Sequence, residues 1–180
     1  MYKIKKIEAE ILTEEYMKNF VNIDYFLDFC KNCPEYKNNW TCPPFDFNPI
    51  DIWKKYDNFH IIGLKFSFNK ELLDKTYSKE ELNAFIVKSF RKEKNKLLEE
   101  LLEIENNNSL ALSAGLCSLC ESCAKINNEE CIHKDKLRHS IESLGGDVEK
   151  TARELLGLEM KWIEDYKLPE YLILVCGILS

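Results

Sequence analysis

Seven of the eight cysteines lie in two short stretches of the sequence, residues 30–44 and 117–131. Cysteines separated by two residues are typical of metal ligands or redox thiols when the protein is not secreted. A framework of structural disulfides is the alternative, but disulfide-dense proteins are usually small and secreted. The spacing therefore predicts metal or cluster binding by both stretches. The predicted ligands are Cys30, Cys33, Cys42, Cys117, Cys120, Cys123 and Cys131.

The second stretch has the spacing C-x2-C-x2-C, and seven residues separate Cys123 from Cys131. A tight loop of this kind turns successive thiolates toward one centre and leaves backbone N–H groups free to point at the sulfurs. Three cysteines in this rhythm are typical of ferredoxin loops. Zinc sites more often use two separate C-x2-C pairs. We therefore predict a [4Fe–4S] cluster on Cys117, Cys120, Cys123 and Cys131, with zinc as the alternative.

The first stretch supplies three thiolates, one fewer than a closed four-ligand site needs. A fourth ligand can come from elsewhere in the chain, or the position can stay open for solvent or a substrate. Cys176 is a candidate, although free cysteine in an apolar segment is commonly a small buried hydrophobe. Tyr36 and Trp40 are expected either to shield the site from water or simply to pack. The two stretches can form two cluster sites or share one, and the sequence leaves both arrangements open.

Apolar patterning predicts the elements that must carry these stretches. The first stretch is expected to be an irregular loop because of its prolines. The longest predicted helix begins at a capping-box pattern of Ser78 and Glu81 and ends near residue 105. Predicted strands lie at residues 2–11, 59–68, 109–114 and 171–179. Shorter predicted helices lie at residues 14–21 with Thr13 as N-cap, 52–56, 136–144 and 148–156.

This order of elements predicts one domain, residues 1–180, of the α/β (or α+β) class. We expect a small mixed sheet of about four to five strands with flanking helices, and two cysteine-rich cluster-binding loops at strand ends. The apolar segment 171–179 is expected in the middle of that sheet. With 180 residues, 45% of them hydrophobic, the chain can bury such a core without crosslinks.

Composition and charge exclude some classes of partner. The formal net charge of -6 argues against nucleic-acid binding, which needs a basic face. No apolar segment is long enough to span a bilayer, and the N-terminus lacks the apolar core of a secretory signal. We therefore expect a cytoplasmic protein of an anaerobe with no membrane partner. The oligomeric state stays open.

The two stretches together resemble a known family. The first reads C-x2-C-x2-Y-x3-W-x-C-P-P, and the second reads C-x-L-C-x2-C-A-x6-C followed by H-K-D-K-L-R-H-S-I-E-S-L-G-G-D-V. This combination is similar to the DUF2284 family of predicted metal-binding proteins. The family pattern after the fourth cysteine is C-x-H-P-x-K-x-R-P-S, so Lys134 and His139 replace its prolines while Arg138 and Ser140 match. The resemblance implies a metal or iron–sulfur role and no particular reaction.

Three functions fit these features. The first is an electron-transfer or redox protein that carries one or two iron–sulfur clusters and works with a redox partner protein. The second is an interaction module stabilised by zinc, which chelation would unfold. The third is an enzyme whose Cys30, Cys33 and Cys42 site keeps an open metal position. The sequence favours the first and does not decide whether the protein is an enzyme.

Overall fold

The computed structural model describes residues 2–180 and contains one four-stranded sheet in the order β1-β2-β4-β3. The strands are β1 (Tyr2–Leu12), β2 (Asn58–Phe68), β3 (Leu110–Leu112) and β4 (Tyr171–Leu179). The predicted α/β fold with about four strands and flanking helices is confirmed. The sheet is antiparallel rather than mixed, because β4 inserts between β2 and β3 and runs opposite to both.

Helices cover both faces of this sheet. They are α1 (Thr13–Phe20), α2 (Ile23–Lys31), α3 (Pro49–Trp53), α4 (Lys70–Leu73), α5 (Lys79–Ile86), α6 (Lys92–Ile104) and α7 (Val148–Leu155). A π-helical turn, Val87–Arg91, joins α5 to α6, so the predicted long helix is confirmed with one widened turn. Its capping box is present, since Ser78 accepts from the Glu81 N–H and the Glu81 carboxylate accepts from the Ser78 N–H. No helix within residues 2–180 combines the length and apolar character needed to cross a bilayer.

Three local predictions are wrong. Helix α2 was not expected, and it places Cys30 in its last turn rather than in an irregular loop. Thr13 is the first residue of α1 and does not cap it, because no side-chain cap forms there. The helix expected at 136–144 is reduced to a 3₁₀ turn, Glu142–Leu144. The preceding residues form turns and irregular structure instead, and the Ser113 N–H donates to the His139 carbonyl over 2.8 Å.

Two hydrophobic cores lie on opposite faces of the sheet. The first packs under α1, α3 and α7, and the second packs under α5 and α6. In the first core, Trp53 donates its indole N–H to the Leu144 carbonyl over 3.0 Å, which ties α3 to the 3₁₀ turn. Strand β4 contributes to both cores and lies between two strands, as its apolar sequence predicts. The fully buried members of the first core include Tyr16, Trp53, Phe59, Ile141 and Leu144.

Gly177 of β4 pairs with Ile61 of β2 and lies close to the main chain of the neighbouring His60. A Cβ atom there would stand 2.3 Å from the His60 carbonyl oxygen, which belongs to a paired strand and cannot withdraw. We expect Gly177→Ala to lower the free energy of unfolding by about 1–3 kcal/mol, measured by urea denaturation. Gly63→Ala is the comparison, because its Cβ would meet the end of the Leu156 side chain at 2.7 Å, and that side chain can rotate. A larger loss at Gly63 than at Gly177 would contradict this account.

Candidate metal centre

The four cysteines of the second stretch line a single cavity of about 150 Å³. This stretch, called the second loop from here on, runs from Cys117 to Cys131 and follows β3. All four side chains are half-buried free thiols. The structure therefore brings together the four residues for which the sequence predicts a cluster.

Backbone and side-chain charges around this cavity suit bound thiolates. The His133 N–H donates to the Cys131 sulfur over 3.4 Å. Burial raises the pKa of the Cys117 thiol, whereas a hydrogen bond from the Leu119 backbone and the nearby Lys94 cation lower it. Burial also raises the pKa of Cys120, and the other three thiols of the loop raise it further.

The donor set fits an iron–sulfur cluster. A [4Fe–4S] cluster takes one cysteine for each iron, and N–H groups directed at the sulfurs tune its potential. The neighbouring thiols raise the pKa values of Cys117 and Cys120, because these acidic groups face one space. A cation bound there would stabilise the thiolates. Among residues 2–180, no three histidine, cysteine or acidic side chains stand close enough to hold one metal ion as they are placed. Metal binding would thus draw the sulfurs inward.

The π-helical turn and α6 hold the second loop by its main chain. Arg91 donates to the carbonyl oxygens of Ser118 over 3.1 Å and of Cys120 over 2.9 Å. Lys94, a buried lysine, donates to the Leu116 carbonyl. These contacts were not predicted, because nothing in the sequence links α6 to a loop more than twenty residues away.

Arg91 offers a direct test of this support. We expect Arg91→Met to lower metal affinity by about 10–100-fold, since two loop carbonyls lose the donor that fixes them. Competition with a chelator, measured on protein kept from oxygen, gives the affinity. Lys88→Met is the matched control, because Lys88 lies in the same helical turn but is exposed. Equal effects of the two substitutions would show that only the charge of this segment matters.

The first stretch forms a separate group of thiols, called the first loop (residues 30–44). Cys30 and Cys42 are half-buried, and Cys33 is exposed. Burial raises the pKa of Cys42 to about 11, and the neighbouring Cys33 and Cys30 thiols add to this shift. Burial likewise raises the pKa of Cys30, and the Cys33 thiol and the Glu142 carboxylate raise it further. The Cys33 N–H also donates to the Cys30 carbonyl over 3.0 Å, but as placed the three thiols do not form a set that could hold one metal ion.

Cys176, the candidate fourth ligand, lies elsewhere. It is 1% exposed and packs in the core beneath α5 and α6. Burial raises its pKa to about 12, as expected for a thiol surrounded by apolar side chains. Its location is that of a small core residue rather than that of a partner for Cys30, Cys33 and Cys42.

The two loops dock against each other. Trp40 of the first loop donates its indole N–H to the Glu129 carbonyl of the second loop over 3.0 Å. Lys125 of the second loop donates to the carbonyls of Asn39 over 3.1 Å and Cys42 over 3.4 Å, and its ammonium lies over the Trp40 ring. Trp40 also lines the cavity of the second loop. The indole is therefore both a wall of that cavity and a link between the loops.

Glu142 is the polar residue of this region that sequence reasoning missed. It lies in the 3₁₀ turn and lines a cavity of about 190 Å³ together with Cys30 and Tyr36. Its Oε2 is buried and has no hydrogen-bond partner within residues 2–180. Burial raises the pKa of this carboxyl, while nearby amides, the Ser140 hydroxyl and Lys94 partly oppose the shift.

Comparisons with known proteins agree with these observations. Neither the curated proteins nor the solved structures include a significant match to the chain. A family model described as "Predicted metal-binding protein (DUF2284)" matches residues 5–179 and so covers both cysteine loops and the sheet that carries them. The chain therefore belongs to the DUF2284 family of predicted metal-binding proteins.

Proposed function

We propose that the protein carries a [4Fe–4S] cluster on Cys117, Cys120, Cys123 and Cys131 and exchanges electrons with a partner protein. The supporting observation is that four free thiols line one cavity of about 150 Å³. A zinc ion could be held by the same four thiolates at about 2.3 Å. The C-x2-C-x2-C spacing favours the cluster, because ferredoxin loops use it whereas zinc sites more often use two separate C-x2-C pairs.

The chain's own residues have defined tasks in this proposal. When bound, the cluster supplies one-electron transfer. Lys94 and the amides of Leu119 and His133 place positive charge beside the sulfurs, which favours the reduced state. Trp40 covers one side of the cavity and limits the access of water. The thiols must stay reduced before loading, which supports a cytoplasmic location.

The mouth of the cavity offers a place for the partner. Three apolar side chains that line it are exposed: Leu116 by 46%, Ile126 by 55% and Ile132 by 74%. Exposed apolar groups around a redox centre suit a transient electron-transfer contact, which buries little area. We infer that a redox partner approaches from this side.

Metal analysis tests the proposal. Protein purified without oxygen should contain about four iron and four sulfide per second loop. It should be brown and lose visible absorbance on reduction with dithionite, with a paramagnetic signal in the reduced state. Colourless protein that holds stoichiometric zinc and shows no reduction would support the zinc-stabilised interaction module instead.

An enzymatic role is the second candidate, and one cavity favours it. A space of about 470 Å³ lies between the loops and is lined by Cys131, His139, Lys125 and the stacked rings of Phe45 and Phe47. It borders a predicted cluster ligand and offers a histidine, a cation and aromatic surface to a small molecule. Turnover of a small redox substrate by the loaded protein alone would favour this role.

A further inference from the structure

Strand β1 leaves one long edge of the sheet unpaired. It is the first strand in the order β1-β2-β4-β3, and its 11 residues pair only with β2. Within residues 2–180, no backbone hydrogen bond joins β1 to any segment other than β2. Most of its side chains are exposed, among them Ile4 by 40% and Leu12 by 59%. An exposed edge of this length is a template for pairing with another strand.

The charges of β1 are divided between its two halves. The first half carries Lys3, Lys5 and Lys6, and the second half carries Glu8 and Glu10. Edge lysines usually prevent pairing between copies, because they bring like charges together. Here an antiparallel pair would instead place the basic half of one copy along the acidic half of the other. The edge is therefore complementary to itself.

The charge pattern also selects one register for this pair. Side chains alternate between the faces of a strand, so a two-fold antiparallel pair places even-numbered residues opposite even-numbered residues. Centring the pair on Ile7 places Lys6 of each copy opposite Glu8 of the other. Moving the centre by one residue would place Lys6 opposite Lys6 or Glu8 opposite Glu8, and like charges in these positions are unfavourable.

The two central charges can make this contact without giving up their present partners. The Lys6 ammonium lies 2.8 Å from the Glu8 carboxylate of the same chain, and both side chains are 46% exposed. His60 Nε2 lies 3.2 Å from the same carboxylate and holds it on this face of the sheet. In the pair, two ammonium and two carboxylate groups would alternate, so each ammonium gains a second carboxylate.

We propose that the protein forms a reversible dimer in which β1 pairs antiparallel with β1 of a second copy, centred on Ile7. The two four-stranded sheets would then form one continuous sheet. A second copy is the partner that the edge specifies, since a strand of uniform charge would match only one of its halves. The second loop follows β3 at the opposite edge, so the dimer leaves that loop uncovered. The dimer does not depend on either metal centre.

Exchanging the central charges tests the dimer and its register together. Lys6→Glu and Glu8→Lys each place like charges opposite each other between identical copies. Each should therefore raise the dissociation constant of the dimer by about tenfold or more. A mixture of the two variants should associate again as a heterodimer, because two carboxylates of one chain then face two ammonium groups of the other. Sedimentation equilibrium of the full chain, with reductant and without oxygen, measures this without disulfides between copies.

The controls separate this contact from general effects of charge. Glu103→Lys makes the same change of charge at an exposed acid of α6 and should leave the dissociation constant unchanged. Lys6→Glu combined with Glu8→Lys in one chain restores opposite charges across the pair and should restore the homodimer. Circular dichroism checks that each variant is folded. Hydrogen exchange adds a second readout, because amides of β1 should become more protected as the wild-type concentration rises.

Three results would overturn the proposal. A wild-type chain that stays monomeric up to its solubility limit would remove the dimer. A dimer that neither single substitution weakens would place the contact on another surface. Single variants that weaken the dimer but do not associate when mixed would show an effect of net charge rather than pairing in this register.

Discussion

Replacing Cys120 with serine is expected to remove the cluster of the second loop, a loss of about four iron and four sulfide per chain. Cys120 shares its cavity with Cys117, Cys123 and Cys131, so one iron would lose its thiolate. Serine keeps the main-chain carbonyl to which Arg91 donates, so the loop retains that support. Iron and sulfide assays on protein kept from oxygen measure the effect.

Cys176→Ala is the matched control for that experiment. It also removes a cysteine, but one that is buried in the core beneath α5 and α6 and lines neither cavity that the loop cysteines line. It should keep its iron and lose only some stability. Full iron content in Cys120→Ser would contradict the cluster assignment, and loss of iron in both variants would indicate a general effect on folding.

Glu105→Gln is expected to cost about 1.5–3 kcal/mol of unfolding free energy, because it leaves the half-buried Arg138 without its counter-charge. The Arg138 Nε donates to both Glu105 oxygens over 3.0 and 2.8 Å, and the two side chains are only 15% and 14% exposed. This pair joins the end of α6 to the chain that follows Cys131. Metal affinity should fall as well. Urea denaturation of the metal-free protein and chelator competition measure the two effects.

Two variants control for this result. Glu105→Gln combined with Arg138→Met removes both charges and should recover part of the stability, since no half-buried charge is left unpaired. Glu100→Gln changes an exposed acid of α6 that pairs with Lys96 over 3.7 Å, and it should cost at most about 1 kcal/mol. Similar losses for Glu100→Gln and Glu105→Gln would show that the half-buried pair has no special role.

The strands and the longest helix could be predicted from the sequence because local patterns determine them. The apolar run at residues 171–179 can be satisfied only inside a sheet, and β4 lies there. Ser78 and Glu81 form a cap through atoms three residues apart, so the pattern is visible in the sequence. The four cysteines of the second loop line one cavity, and the x2 spacing accounts locally for three of them, since Cys131 follows Cys123 only after seven residues.

The supports of the two loops could not be predicted, because they depend on contacts distant in sequence. The segment before Glu142 forms turns and irregular structure and bonds to Ser113 rather than continuing its helical pattern. Arg91 and Lys94 resemble ordinary charges of a solvated helix face until the fold places the second loop beside them. Glu142 stood out only through its burial and its partnerless oxygen.

The length of the helical segment that contains the π-helical turn Val87–Arg91 is part of the site. The widened turn accommodates one extra residue, so deleting a residue there would leave α6 nearly in place. Deleting one residue in the regular helix just after Leu82 would instead rotate everything that follows by about 100° around the axis, and Lys94 would turn away from the second loop. We therefore expect natural variants that retain the four cysteines to tolerate insertions and deletions in the polar segment near Asn107, and not in the regular helix between Ser78 and Lys94.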